Sequence, residues 1–469
     1  MVLAIGLMAG ASAAWTSESV LRVNVPVPAH ERILLHNRMQ LILVPRHAVP
    51  LIAFSLLVRG GARQDPPGRE GTASLLADLL NYGAGERDAY AFADAVEGAG
   101  GNLNAAARAE AIEIRGQFLA RDAALMLQLL SDATLRPRFD PDELIKLRDR
   151  HIEELKAAKD SSPQALIGNY GRALLFGQHP YGRPVGGSEA SLARVTSADI
   201  ARFYAQQVGA DRATLVIAGD FAPAVMRKAV VAAFGHWQSA AQAVVALPEP
   251  ARVHGRRVLL VDAPGSAQTY FWLGNVGVAR RFEARAALQV SNTAFGGRFG
   301  SMLNQELRVK AGLTYDASAD FTRGSVAGAF AISSFTQTDR TARAIELALA
   351  TLTRLHTDGL DAPTLESARA YMLGQYPLAL ETSADWAEAL GELELYGLPE
   401  SYLGDFGSEL VRVDGAAISA VIARAYPNSE DLAMVLVGDA ARIHEVAAKL
   451  GTVTEMTLAA PDFAPVAAP

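Results

Sequence analysis

Val216-Ile217-Ala218-Gly219-Asp220 returns as Leu436-Val437-Gly438-Asp439. An apolar run of strand length closed by glycine is, alone, a common buried-strand ending. Its recurrence is not common, because other segments recur with it in the same order. Leu41-Ile42-Leu43-Val44 returns as Val258-Leu259-Leu260-Val261, and Asp140-Pro141-Asp142-Glu143-Leu144 as Asp361-Ala362-Pro363-Thr364-Leu365. Tyr181-Gly182-Arg183-Pro184 returns as Tyr396-Gly397-Leu398-Pro399, and Leu192-Ala193-Arg194-Val195 as Leu410-Val411-Arg412-Val413. The offset stays at about 218 residues, which suits a duplicated domain rather than a solenoid. The chain is written twice.

Within the first copy, residues 40–44 and 51–58 read as apolar strands. A helix follows at about 71–81, then a strand at 112–119 with Ile112, Ile114 and Gly116 alternating onto one face. Helices at about 121–132 and 141–159 come next, the second announced by the cap-and-proline pair Asp140-Pro141. A strand at 213–218 and a helix at 222–234 close the copy. This order predicts an α+β fold of two homologous domains, 15–237 and 257–458, each a mixed or antiparallel sheet with helices packed on it. Residues 238–256, with Pro248 and Pro250, read as the linker. The alanine- and proline-rich tail 459–469 is expected to be disordered. Residues 1–14 are apolar and then small, with Ala11-Ser12-Ala13 as a cleavage site; this reads as a secretory signal and predicts a periplasmic protein.

Composition removes several function classes. Half of the 469 residues are hydrophobic and 20% are charged, as in packed globular proteins. A net charge of -7 offers no footprint for nucleic acid or anionic membrane. No apolar run beyond the leader reaches membrane-spanning length. With no cysteine, disulfides, thiolate nucleophiles and cysteine-ligated zinc are excluded. There is no G-x-S-x-G elbow, Walker loop or G-x-G-x-x-G fingerprint. The nine histidines include no pair at the short spacing that a zinc-binding helix needs.

Several further segments share an order. Gly60-Gly61-Ala62-Arg63 leads to Gly71-Thr72-Ala73, then to Gly100-Gly101-Asn102-Leu103-Asn104-Ala105 and to Asp220. The second half holds Phe295-Gly296-Gly297-Arg298-Phe299 and Gln305-Glu306-Leu307-Arg308-Val309-Lys310-Ala311-Gly312-Leu313-Thr314-Tyr315. In these, over nearly the whole length after the leader, the chain resembles the insulinase-like (pitrilysin, mitochondrial processing) zinc peptidases. The resemblance implies a clamshell half-chamber built from the two domains. Active members carry an inverted H-x-x-E-H motif on one helix. Here the two histidine positions are Ser74 and Asp78, and the general-base position is Ala77. The family's third ligand, a downstream glutamate, falls on Glu154, with Glu153 the alternative register; nearby His151 reads as a helix-surface residue.

A catalytic zinc needs three protein ligands and one open position. Serine is a poor ligand, Asp78 stands alone on its helix, and alanine activates no water. The expectation is therefore no metal site in this chain. Arg308 and Tyr315 match the family pair that faces the zinc across the substrate chamber, where an arginine fork and a phenol can stabilise an oxyanion. Asn104-Ala105 match a position where an edge strand pairs with substrate backbone. Together these imply a non-catalytic subunit of a heterodimeric zinc peptidase acting on peptides. A homologous H-x-x-E-H-bearing partner would hold the zinc. The alternative is a structural, assembly or peptide-binding subunit with no part in cleavage.

Overall fold

The computed structural model describes residues 24–465, so the leader read at residues 1–14 lies outside it. Two six-stranded mixed sheets form the frame. The first runs β1-β2-β6-β3-β5-β4, with β1 at Glu31–Leu34, β2 at Gln40–Pro45, β3 at Leu51–Arg59, β4 at Asn102–Ala107, β5 at Ala111–Leu119 and β6 at Ala213–Gly219. The second runs β12-β7-β11-β8-β10-β9, with β7 at Arg256–Asp262, β8 at Gln268–Val276, β9 at Ala317–Phe321, β10 at Ala329–Gln337, β11 at Leu432–Gly438 and β12 at Thr452–Thr457. Apart from β1 and β12, the five remaining positions correspond strand for strand. Even the register repeats: Leu43 lies opposite Ile217 in the parallel pair β2–β6, and Leu260 lies opposite Leu436 in β7–β11.

These strands are apolar on both faces because both faces are covered. In the first sheet Leu41, Leu43, Leu215 and Ile217 point into a core shared with that half's own helices. Ile42, Val44, Val216 and Ala218 point the other way, onto Trp386, Leu390 and Leu393. Those three residues belong to the helix Ser383–Tyr396, which comes from the second half. The exchange is mutual. Leu259, Val261, Val435 and Val437 of the second sheet meet Ile167, Tyr170 and Phe176 of the helix Ile167–Phe176, which belongs to the first half. Each crossing helix carries a glycine at the contact. A Cβ on Gly171 would stand 2.5 Å from the Trp272 ring, and one on Gly391 would stand 2.8 Å from Leu57. The helices sit close because no side chain holds them off.

The linker, residues 235–255, has no regular structure but is tied at both ends. Arg212 donates to the Gln242 carbonyl, and the Asn275 side chain exchanges two hydrogen bonds of 2.9 Å with the Val253 backbone. The tail differs from its expected disorder. Up to residue 465 it is packed: Phe463 is buried with its ring edge-on to Tyr170 at 5.0 Å, Ser188 donates to Asp462, and Lys159 donates to the Ala460 carbonyl. One buried aromatic with polar anchors outweighs a coil-favouring composition. Among the described residues, no helix is long and apolar enough to cross a membrane.

Candidate functional site

The helix carrying the degenerate motif is Thr72–Leu79. Gly71 precedes it at φ 95°, and a Cβ there would meet Leu192 at 2.7 Å, so only glycine fits. Asp65 anchors the first turn, accepting from Gly71 N and Ala73 N at 2.8 Å each. Burial pushes its carboxyl up to about 8, against the pull of those two N–H groups. Leu75, Leu76, Ala77 and Leu79 face the core. Ser74 and Asp78, one turn apart, form the only partly open face of this helix. The motif positions therefore point where ligand side chains would have to point, while Ala77 is fully buried.

Opposite Asp78 stands His151 of the helix Pro141–Ser161, with Nε2 at 2.9 Å from Asp78 Oδ2. His151 is 17% exposed, which corrects its reading as a surface residue. Glu154, by contrast, is 66% exposed and lies 3.6 Å from Arg150 of its own helix. Glu153 pairs with Lys156, also along that helix. Asp78 and His151 are thus the two groups that converge, and they do not fit a catalytic zinc, which needs a third ligand. Among the described residues no group of three histidine, aspartate or glutamate side chains could hold a metal ion.

The edge strand β4 is less open than expected. Ala105 directs its backbone N–H and C=O away from β5, and the Asn81 side chain takes both: Ala105 N donates to Asn81 Oδ1 at 2.7 Å, and Asn81 Nδ2 donates to Ala105 O at 3.1 Å. An added strand would have to displace this clamp. Asn104, whose backbone lies in the β4–β5 pair, leaves its side chain in solvent.

Arg308 lies on a wide helical turn, Asn304–Lys310, in which Ala311 N reaches back five residues to Glu306 O at 3.2 Å. Gly312 ends the turn at φ 61°. The following loop is pinned by Thr336 and Ser334, which donate to Leu313 O and Asp316 O at 2.7 Å each. The guanidinium of Arg308 sits between two rings, 4.4 Å from the centre of Phe299 and 4.2 Å from that of Tyr315. Phe299 and Tyr315 are 64% and 72% exposed. The pair read from the sequence is thus brought together, but in the second half. No hydrogen bond or ion pair among the described residues joins it to Asp78 and His151.

Two family models match one after the other: "Insulinase (Peptidase family M16)" over residues 43–189 and "Peptidase M16 inactive domain" over residues 194–372. An uncharacterized zinc protease of Mycobacterium tuberculosis is 30% identical, over 75% of this chain and 80% of the relative. The chain belongs to the M16, insulinase-like peptidase family. A non-peptidase homolog of Helicobacter pylori is a more distant relative, 23% identical over 94% of this chain and 98% of that protein. The fold matches the crystal structure of a peptidase M16 inactive domain from Pseudomonas fluorescens with a TM-score of 0.81, at 23% identity, covering 87% and 98% of the two chains.

Against the M16 pattern, sequence reasoning missed His151 and Asn81. The first was within reach. Leu144, Leu147, His151 and Leu155 follow a spacing of three, four and four, which puts position 151 on the inward stripe. Asn81 carried no signal, because its role depends on a strand that passes it in space.

Proposed function

We propose that this chain is the non-catalytic subunit of a two-chain, zinc-dependent M16 peptidase of the periplasm. A homologous H-x-x-E-H partner holds the zinc, and this chain brings Arg308 and Tyr315 to the bound peptide. The supporting observation is the state of Arg308. It lies between two exposed rings, and among the described residues no carboxylate pairs with it. A half-buried arginine stacked on exposed aromatic rings is the composition of a binding hot spot rather than of inert surface. Guanidinium and phenol donors can both reach one peptide carbonyl and stabilise charge developing on its oxygen. The motif helix supports the non-catalytic half of the reading: Ser74, Ala77 and Asp78 supply neither a ligand set nor a base. Co-purification with a zinc-bearing homologue, followed by peptide-cleavage kinetics, tests this. Arg308→Ala and Tyr315→Phe are each expected to lower kcat by about 10²- to 10³-fold. Wild-type rates in both variants would remove the transition-state role, and chelator-sensitive cleavage by the chain alone would remove the whole reading.

The Asn81 clamp on Ala105 favours a second reading, an assembly subunit that pairs with no substrate strand in its first half. Asn81→Ala is then expected to leave peptide affinity of the complex unchanged, whereas a substrate-pairing edge would gain affinity.

A further inference from the structure

A cavity of about 310 Å³ lies where the two halves meet. Arg63, Arg108, Arg172 and Arg183 enter it from the first half and Arg323 from the second. Glu110 is the one carboxylate in its lining, and it is already engaged: Arg63 Nη1 donates to it at 2.9 Å, the Tyr181 hydroxyl at 2.8 Å and Ser325 N at 2.9 Å. Arg108 is likewise committed, to Glu113, Glu388 and Glu392, and Arg183 donates to the Asp65 carbonyl at 3.0 Å.

Arg172 and Arg323 remain. Arg172 donates to the neutral Asn169 side chain at 2.6 Å. Arg323 has Nη1 buried with no acceptor, and Arg63 Nε is in the same condition. Burial lowers the pKa of both Arg172 and Arg323; at Arg323 the Tyr402 side chain pulls the other way, and Arg280 and Arg285 add repulsion. Asp320, close enough to feel the charge of Arg323, makes no ion pair with it among the described residues. Arginine keeps its proton in proteins, so this is positive charge with its solvation unmet rather than charge removed. Phe176, Pro180, Val185 and Leu395 give the remaining walls an apolar part, beside Tyr181, Tyr396 and Thr322.

We infer that this cavity between the halves binds a carboxylate on a small apolar body, of the size of one C-terminal residue of a peptide. Guanidinium forks match a carboxylate in two parallel hydrogen bonds. The volume stands at the lower limit of small-molecule pockets, enough for one such residue and too little for a nucleotide. Because the donors come from both halves, the ligand also ties them together, and its binding adds to the stability of the folded chain. The inference is independent of the Arg308–Tyr315 reading, whose residues do not line this cavity.

Calorimetric titration of the full chain with N-acetyl-L-leucine, N-acetyl-L-leucinamide and inorganic phosphate decides it, with thermal melting alongside. The acid is expected to bind saturably and raise the melting temperature, and the amide to do neither. Arg172→Gln and Arg323→Gln are each expected to weaken the acid at least tenfold. Equal binding of acid and amide overturns the proposal, as does binding of phosphate without the acid, no binding at all, or acid affinity unchanged in both variants. If a variant does not fold, the acid–amide contrast on the wild-type chain still decides.

Discussion

The two halves share a sheet order and a register, yet they differ at their outer edge. The first sheet ends on β1, which precedes β2 in the chain and runs antiparallel to it. The second ends on β12, which follows everything else in the fold and runs parallel to β7. Each half also gives one helix away, so the copies are alike in construction but not separable. The equal cores of the repeat hide a mutual dependence: without Ser383–Tyr396 the first sheet exposes Ile42, Val44, Val216 and Ala218 to water, and without Ile167–Phe176 the second exposes Leu259, Val261, Val435 and Val437. At about 1.5–3 kcal/mol for a large apolar side chain, losing such a face removes most of a domain's net stability.

The largest expected effect follows directly. Residues 24–237 and 257–465 expressed separately should each show no cooperative unfolding transition, and mixing them should restore one. A sharp melt from either half alone would break the claim of dependence. Next come the contacts themselves. Trp386→Ala removes the main anchor on the first sheet and is expected to cost about 3–5 kcal/mol in denaturant unfolding. Gly171→Ala drives a methyl into the Trp272 ring and is expected to cost about 1–3 kcal/mol. Gly391→Ala should cost less, because it meets the movable end of Leu57.

A smaller effect separates the halves by pH, through Asp65. Its folded value near 8 stands above the 3.8 of an ordinary aspartate, so between these values the folded chain holds a proton that the unfolded chain releases. Its contribution is present in full below about 3.8 and is lost as pH rises through 8. Unfolding free energies at pH 5.5 and 8.5 should therefore fall more for the wild type than for Asp65→Asn. A steeper fall in the variant would reverse the assignment. The smallest effect is expected at Glu154→Gln, within about 0.5 kcal/mol of wild type, since its partner is an exposed neighbour. His151→Ala should cost more, because it leaves the half-buried Asp78 without its partner, and equal costs would remove that pair's structural role.

Much of this frame was legible in the residues. The repeat located both halves, and β2, β3, β5 and β6 stood out as apolar runs with clear stops. The M16 resemblance rested on the run ending at Tyr315. What stayed hidden depended on partners far along the chain. Ile167–Phe176 contains Gly168 and Gly171, poor helix formers, and its helix makes sense only against Trp272. The tail looked disordered because Phe463 reveals nothing until Tyr170 is beside it. His151 went unremarked because its partner, Asp78, lies 73 residues earlier in the chain.

The exchanged helices also bear on how the protein is made. The last strand of the first sheet leaves the ribosome at Gly219, but the helix that covers its back ends at Tyr396. At about 5–20 residues per second, the roughly 180 residues between them take about 10–35 s. Throughout that interval the growing chain presents an apolar sheet face with nothing yet synthesised to cover it. Chaperone occupancy during translation should be highest in that window.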